Sequence, residues 1–251
     1  MAEAHSPLDQ FKVSPIAEMQ IAGYDTSFTN SAMWMVVGLA VMTIFLIGGS
    51  RRSDMVPGRW QTLVEMSYGF VAGMIKDNVG REGKQYFPFI FTLFMFVLAA
   101  NVLGMVPYSF TTTSHIVVTF ALAGVVITGI TLIGLLKHGL GFLKLFAPSG
   151  LPAPLYLIIV PIEIISYLTR PVSLSVRLFA NMLAGHIIMK IFAMFVVSLG
   201  AAGGVLSVLA IAPFALNIFM TGLELLVAFL QAYVFTILTC IYLNDAMHPS
   251  H

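Results

Sequence analysis

The sequence predicts an all-α, polytopic integral membrane protein. Hydrophobic residues make up 59% of the 251 residues and charged residues only 9%, a balance far from that of a soluble domain. Several apolar runs approach or exceed the roughly 20 residues that a helix needs to cross a bilayer. None alternates with the period of two that is typical of barrel strands. We expect five crossing helices and one amphipathic interfacial helix, with the last two crossings long and steeply tilted.

The N-terminal segment and the first crossing set the orientation of the chain. Residues 1–30 lack the basic start and apolar centre of a signal peptide. The first predicted span, about 31–49, ends at GGSRRSD, where Arg51 and Arg52 supply a positive flank. Since positively charged flanks stay in the cytoplasm, residues 1–30 should form an extracytoplasmic segment. Residues 31–251 are predicted to form a single membrane domain.

The next part of the chain should return to the membrane from the cytoplasmic side. Residues 57–84 mix apolar positions with charged ones, so we expect an amphipathic helix at the interface rather than a span. Further spans are predicted at about 86–106 and 116–136. The loop between them, PYSFTTTSH, carries no lysine or arginine and should face outside. The following connection carries Lys137 and Lys144 and should face the cytoplasm.

Two long apolar stretches complete the chain. They cover about 151–198 and 205–243 and are separated by LGAAGG, the only plausible turn between them. A single helix over the first stretch would measure about 70 Å, more than twice the hydrocarbon thickness. Pro161, Pro171 and Pro213 offer kinks, but no polar loop interrupts either stretch. We therefore expect two inclined helices rather than four short ones, with the C-terminus in the cytoplasm.

Several classes of function are excluded by what the sequence lacks. A lone Cys240 excludes an internal disulfide and a cysteine metal cluster. The net charge of +1, with scattered basic residues, gives no support for nucleic-acid binding. His186 begins HIIMK rather than the HExxH of a metalloprotease, and no GxxxxGK[ST] loop is present. We therefore expect no metal, no cofactor and no nucleotide site.

Polar residues follow one face of each of the last two predicted helices. At about 100° per residue, the members of the first set lie within about 40° of Arg177 and extend over about 27 Å. The first set is Glu163, Ser166, Arg170, Ser173, Arg177 and Asn181, and the second is Asn217, Thr221, Glu224 and Gln231. Two such faces can line one polar path. The alternative is that the small polar residues only join helices by hydrogen bonds and that Arg170 and Lys190 extend to the headgroups.

Arg177 and Glu224 require a stronger explanation because they lie well inside apolar runs. A charge there costs from about 2.5 to more than 10 kcal/mol, depending on the reference measurement. Arg177 has no carboxylate on its adjacent turns, and Glu163 is about four turns away. We therefore expect its principal partner on another chain or in transient contact. His186 points away from Arg177 on a straight helix and should border a different compartment.

Three motifs carry a resemblance to a known family. PVSLSVRLFANMLAGHIIM at 171–189, ELLVAFLQAYVFTILTCIYL at 224–243 and NVLGMVPYSFTTTSH at 101–115 resemble, in type and order, the subunit a family of F-type ATP synthases. The resemblance implies that Arg177 faces a ring of c subunits whose carboxylates take up and release protons. Proton flow through two offset half-channels would then be coupled to rotation and ATP synthesis.

The resemblance also implies roles for other residues and partners. His186 and Glu224 would line the outer half-channel, Asn181 and Gln231 would flank Arg177, and Glu163 would belong to the path toward the cytoplasm. Helical spacing, rather than the resemblance, assigns Ser166, Ser173, Asn217 and Thr221 a supporting place on the polar faces. Implied partners are the c-subunit ring, b-type peripheral-stalk subunits, the remaining ATP synthase subunits, membrane lipid and protons rather than sodium.

The same resemblance implies a non-catalytic subunit in a bacterial inner membrane rather than a mitochondrial one. The alternative function is an ion-coupled secondary transporter. Such proteins usually contain internal repeats with paired broken helices, and the sequence around Arg177 is not repeated.

Overall fold

The computed structural model describes residues 12–18, 20–21, 24–25, 27–51, 56–106, 109–146 and 153–248. Parts of the predicted N-terminal segment, Arg52, and parts of the loops around 107–108 and 147–152 lie outside the described residues, as do the last three residues.

Helices form most of the described chain. The α-helices are α1 (Asn30–Ser50), α2 (Arg59–Asn78), α3 (Phe87–Gly104), α4 (Ile116–His138), α5 (Ala153–Ala202), α6 (Val205–Leu209) and α7 (Ile211–Met247). Short 3₁₀ helices cover Arg81–Tyr86, Thr112–Ser114 and Gly139–Leu145.

Five helical segments of the described chain are long and apolar enough to cross a membrane. They are Asn30–Ser50, Arg81–Gly104, Ile116–His138, Leu155–Ala202 and Val205–Met247. Large apolar side chains on them, such as Leu136 and Leu157, are exposed, as expected for surfaces that face lipid or partner proteins. The prediction of an all-α polytopic membrane protein is confirmed.

The N-terminal segment contains short strands that the sequence analysis did not predict. The strands are β1 (Pro15–Ala17), β2 (Gln20–Ile21), β3 (Tyr24–Asp25) and β4 (Phe28–Thr29). They pair antiparallel as β1 with β4 and β2 with β3. Asn30 ties this segment to α1, because its Nδ2 donates to the Lys12 carbonyl oxygen (3.1 Å) and its Oδ1 accepts from the Ser14 amide (3.2 Å).

The amphipathic helix is shorter than the predicted 57–84. It ends at Asn78 as α2, and the chain continues through Gly80 into a 3₁₀ helix over Arg81–Tyr86. Gly80 has a φ of 82°, a left-handed conformation that side chains with a Cβ rarely adopt. This glycine therefore stops the α-helix before the charged residues at 81–84.

One of the two long helices is continuous and the other is interrupted. Helix α5 runs for 50 residues with Pro161 and Pro171 inside it, which gives a length of about 75 Å. Gly203 and Gly204, with φ of 72° and 60°, form the turn after it. The long crossing predicted over 205–243 corresponds to the segment Val205–Met247, in which Ala210 alone separates α6, which ends at Leu209, from α7, which begins at Ile211.

Pro213 explains this interruption. Its nitrogen has no hydrogen to donate to the carbonyl of Leu209, four residues earlier, and its ring crowds that carbonyl. Proline is tolerated in the first turn of a helix, and Pro213 occupies the first turn of α7. The chain therefore ends one helix and begins another around it.

The chain divides into two compact units, each assembled from separated stretches. The first unit consists of residues 1–42, 96–115 and 178–231, and the second of residues 43–95, 116–177 and 232–251. In the first unit, Asn101 Nδ2 donates to the Ala228 carbonyl oxygen (3.2 Å) and so links α3 to α7. In the second, the Phe70 ring lies 5.6 Å from that of Phe94 and 5.7 Å from that of Tyr233.

Candidate functional site

His186 lies in the first unit with hydrogen-bond acceptors around both ring nitrogens. The residue is 7% exposed. Its Nδ1 lies 2.6 Å from Glu224 Oε1 and 2.9 Å from the Met182 carbonyl oxygen. Its Nε2 lies 2.8 Å from the Gly104 carbonyl oxygen and 3.0 Å from Thr111 Oγ1. The imidazole therefore joins α5 to α7 on one side and to the end of α3 on the other.

The groups around His186 match the donors of the charged ring better than those of the neutral ring. A neutral imidazole has one N–H, whereas an imidazolium has two. The charged ring can donate at both nitrogens, and Glu224 then supplies the opposite charge. The unprotonated nitrogen of a neutral ring would face acceptors only, because Thr111 Oγ1 already donates to the Gly104 carbonyl oxygen.

Glycine at position 185 makes the close approach of α5 and α7 possible. A Cβ at Gly185 would lie 2.9 Å from Glu224 Oε1 and 3.1 Å from its Cδ. Glu224 is only 4% exposed, so its carboxylate has little room to move. Its Oε2 has no hydrogen-bond partner in the part of the chain that the structure describes. The absence of a side chain at Gly185 therefore sets the position of this carboxylate beside His186.

The loop after α3 holds the other side of His186. Thr111 Oγ1 donates to the Gly104 carbonyl oxygen (3.1 Å), so its lone pairs are left to accept from His186 Nε2. The side chain of Ser109 donates to the Leu103 carbonyl oxygen (2.7 Å). Residues Thr111 to Ser114 are only 3–4% exposed. The loop predicted to face outside is thus folded into the protein here.

Two cavities of the first unit lie beside the His186–Glu224 pair. The larger, about 410 Å³, is lined by Gly104, Met105, Val106, Ser109, His186, Met189, Lys190, Ala193, Asn217 and Thr221. The smaller, about 190 Å³, is lined by Asn181, Ala184, Gly185, Ile188, Met220, Leu223, Glu224 and Val227. Asn217 Oδ1 is buried without a hydrogen-bond partner among the described residues. The larger cavity has several polar groups in its wall and room for water, whereas the lining of the smaller cavity is mostly apolar.

Asn181 and Gln231 continue the polar chain. Asn181 Nδ2 donates to Gln231 Oε1 (3.1 Å), and Asn181 also lines the smaller cavity with Glu224. Gln231 is 4% exposed, and its Nε2 has no partner in the described chain. The structure thereby brings five predicted residues into one row of polar groups. In order, the row contains Asn217 at the larger cavity, His186, Glu224, Asn181 at the smaller cavity, and Gln231.

Arg177 belongs to the second unit and is exposed, although Leu174, one turn earlier, is only 1% exposed. None of the ion pairs among the described residues includes Arg177. Glu163 is half-buried, and Ser166 and Ser173 are exposed. The described residues therefore supply no fixed carboxylate partner for Arg177, not even Glu163.

Arg170 differs from Arg177 because it has partners inside the second unit. Its Nη1 donates to Asp245 Oδ2 (3.2 Å), and its guanidinium carbon lies 4.6 Å from the centre of the Tyr242 ring and 5.4 Å from that of Tyr167. The sequence analysis left a headgroup position and a functional one open for Arg170. The structure places it in an ion pair packed between aromatic rings.

The partners of His186 on the α3 side and of Arg170 were missed by sequence reasoning. Thr111 lies in a motif singled out above, where TTTS is a run of four hydroxyl residues without a charge. Such a run next to a span can signal a buried polar loop. Asp245 gave no comparable signal, because it was read as part of a cytoplasmic end.

The fold and the site define a polytopic membrane protein that buries a histidine–carboxylate pair between its helices. Residues 31–244 match the family model described as ATP synthase A chain. Over 250 residues the chain is 55% identical to ATP synthase subunit a of Mesorhizobium japonicum, covering 100% of this chain and 99% of the relative.

Other relatives are as similar. Identity is 56% to ATP synthase subunit a of a Chelativorans species (99% of this chain, 100% of the relative) and 56% to that of Pelagibacter ubique (99% and 100%). The chain belongs to the ATP synthase A chain family. It is a membrane subunit of ATP synthase, and the alternative of a secondary transporter is set aside.

Substituting Gly185 tests whether the position of the Glu224 carboxylate beside His186 matters for function. Gly185→Ala should lower ATP-driven proton pumping, because an added Cβ would lie 2.9 Å from Glu224 Oε1 and force this buried carboxylate to shift relative to His186, and small displacements of a functional group can lower a rate strongly. Pumping would be measured as acidification of inverted membrane vesicles, normalised to assembled subunit. Gly200→Ala is the matched control, since a Cβ there meets nothing within 4 Å. Equal pumping by both variants would contradict the assigned role of Gly185.

Substituting Thr111 tests the other side of the imidazole. Thr111→Val keeps the shape but removes the hydroxyl that accepts from His186 Nε2, so that the Gly104 carbonyl oxygen is left as the acceptor on this side of the ring. We expect an altered pH profile of pumping at normal assembly, with Thr111→Ser close to wild type because it retains the hydroxyl. A valine variant with an unchanged pH profile would show that Thr111 does not act on His186.

Proposed function

We propose that the chain is the stator-side proton conductor of an F-type ATP synthase. In this proposal, protons pass through two offset half-channels to and from carboxylates on the c-subunit ring, and this flow is coupled to rotation and ATP synthesis. The observation that carries the proposal is Arg177: an exposed cation in an apolar helix, without an ion pair among the described residues.

A permanent positive charge explains how the ring carboxylates release protons. In a low-dielectric environment, a cation within about 4–6 Å favours the ionised form of a carboxyl group. Each ring carboxylate that approaches Arg177 would therefore lose its proton and could regain one only after moving away. The same charge would repel a proton that crossed directly from one half-channel to the other. Arginine suits this role because it practically never deprotonates.

The row of polar groups in the first unit supports an outer half-channel. Its larger cavity would bring water to His186, with Asn217 and Thr221 in the wall. His186 would pass protons to Glu224 across the 2.6 Å between Nδ1 and Oε1. The smaller cavity, which Glu224 and Asn181 share, would then lead to the ring. Asn181 and Gln231 would flank the exchange point, since Asn181 follows Arg177 by four residues.

The half-channel toward the cytoplasm would follow the remaining polar residues of α5. Glu163 is half-buried there, and Ser166 and Ser173 are exposed, so a partner surface could close a groove over them. The Arg170–Asp245 ion pair joins α5 to α7 in the same unit. Asp245 neutralises the charge of Arg170, which leaves Arg177 as the cation that would face the ring.

Charged groups near the ends of several helices support the proposed orientation. In the second unit, Lys137 pairs with Glu82, and His138 Nε2 lies 2.8 Å from the Met247 carbonyl oxygen. The connection before α3, the end of α4 and the end of α7 thus meet. Because basic residues gather on the cytoplasmic side, this end would face the cytoplasm and the N-terminus would lie outside.

The proposed setting is the plasma membrane of a bacterium, in agreement with the bacterial relatives. The c-ring, the b-type peripheral-stalk subunits and the remaining ATP synthase subunits would be the partners. ATP chemistry would belong to those subunits, since no GxxxxGK[ST] loop occurs in this sequence. Protons rather than sodium are the proposed ion.

Replacing the cation tests the proposal directly. Arg177→Ala should abolish ATP-driven proton pumping in reconstituted complexes, because nothing would force the ring carboxylates to release their protons. Arg177→Lys should also pump poorly, since a buried lysine can lose its charge. Both variants would be measured for pumping and for passive proton leak in the same vesicles.

Arg51→Ala is the control, because Arg51 is an exposed cation just beyond α1. It should pump like the wild type. Near-normal pumping by Arg177→Ala in correctly assembled complexes would remove the central role proposed for this residue.

A further inference from the structure

A further cavity lies in the second unit. It has a volume of about 620 Å³ and is formed by the second half of α2, the connection after it and the start of α3. Its walls are Tyr68, Ala72, Gly73, Ile75, Lys76, Gly80, Arg81, Lys84, Phe87 and Pro88. The positive φ of Gly80 turns the chain here, so that cations before and after the turn border the same space.

The cavity carries three positive charges and no negative one. Lys76, Arg81 and Lys84 line it and are exposed, and no carboxylate is among its walls. No described ion pair includes any of the three. The neighbouring Glu82 is engaged by Lys137. Asp77 follows Lys76 on α2 and is therefore turned by about 100° from it. The three cations thus lack a counter-charge within the described residues of this unit.

The same cavity is also lined by apolar and aromatic side chains. The Tyr68 ring lies 4.5 Å from the Phe87 ring, and Ile75 and Pro88 are further apolar lining residues. A soluble phosphate would gain nothing from these apolar contacts. A ligand with an anionic head and an apolar body would use both the cations and the apolar lining.

The position of the cavity along the chain also points to lipid. Helix α3 begins at Phe87 and belongs to a membrane-crossing segment, so the cations just before it would lie at the level of the headgroups. Basic pockets beside crossing helices on the cytoplasmic side are suited to anionic headgroups.

We propose that this cavity binds one anionic phospholipid. The phosphodiester lies among Lys76, Arg81 and Lys84, and the glycerol and upper acyl chain lie against Tyr68 and Phe87. The lipid supplies the counter-charge that the described residues lack and fills the space between α2 and α3.

Photocrosslinking in the assembled complex tests the proposal. The complex is reconstituted in vesicles that contain a photoreactive phosphatidylglycerol or, in parallel, a photoreactive phosphatidylcholine, and the labelled peptides are mapped by mass spectrometry. Phosphatidylglycerol should label residues 59–88 at least about tenfold more than phosphatidylcholine, because each cation near an anionic lipid contributes about fivefold in affinity.

Substitutions separate the cavity from general surface charge. Lys84→Gln should lower labelling about fivefold, and Lys76→Gln combined with Arg81→Gln and Lys84→Gln should remove it. Arg59→Gln is the matched control, since Arg59 is an exposed cation of the same helix that does not line the cavity, and it should label like the wild type. If the triple variant fails to assemble, the labelling of the Lys84→Gln variant tests the proposal.

Three results would overturn the proposal. Equal labelling by the two lipids would show that the cavity does not distinguish lipids by the charge of their headgroup. Displacement of the label by soluble glycerol phosphate would indicate a site for free phosphate rather than for lipid. Labelling that appears only after the peripheral-stalk subunits are removed would show that a protein segment occupies the cavity in the native complex.

Discussion

A charged or polar side chain within the hydrocarbon layer is stable only if hydrogen bonds, water or an opposite charge replace its lost hydration. The two long helices of this protein carry several such groups. His186 and Glu224 satisfy the constraint through each other and through backbone carbonyls, and Arg170 does so through Asp245 and two aromatic rings. Arg177 has no such ion pair in the described chain. In the proposed function, this difference distinguishes the groups that are paired within the subunit from the cation that would meet a carboxylate of the ring.

The paired groups also explain local features of the backbone. Gly185 lacks a side chain where Glu224 approaches, and the loop after α3 turns inward so that Gly104 and Thr111 face the imidazole. Both features place hydrogen-bond acceptors around the two ring nitrogens of His186. Asn217 lines the larger cavity beside the ring, and its Oδ1 is buried without a hydrogen-bond partner among the described residues.

The sequence alone reveals charged residues that lie within apolar segments, because such a position can be recognised without a structure. Arg177 and Glu224 were found in this way, and the helical period placed Arg177 on a face separate from Leu174. Contacts between distant stretches were not visible. The Thr111–His186 hydrogen bond joins residues 75 positions apart, and so does the Arg170–Asp245 pair. The irregular residue Ala210 lies close to Pro213, where the sequence already predicts a kink. The strands before α1 are too short to leave a periodic pattern.

The most direct test of the central claim is a structure of the assembled ATP synthase by electron cryomicroscopy, with the rotor resolved at each of its resting positions. The account predicts that the Arg177 guanidinium faces the ring and comes within about 4–6 Å of a carboxylate of a c subunit as that subunit passes. A guanidinium turned toward lipid or headgroups at every position, or bound throughout to Glu163, would contradict it.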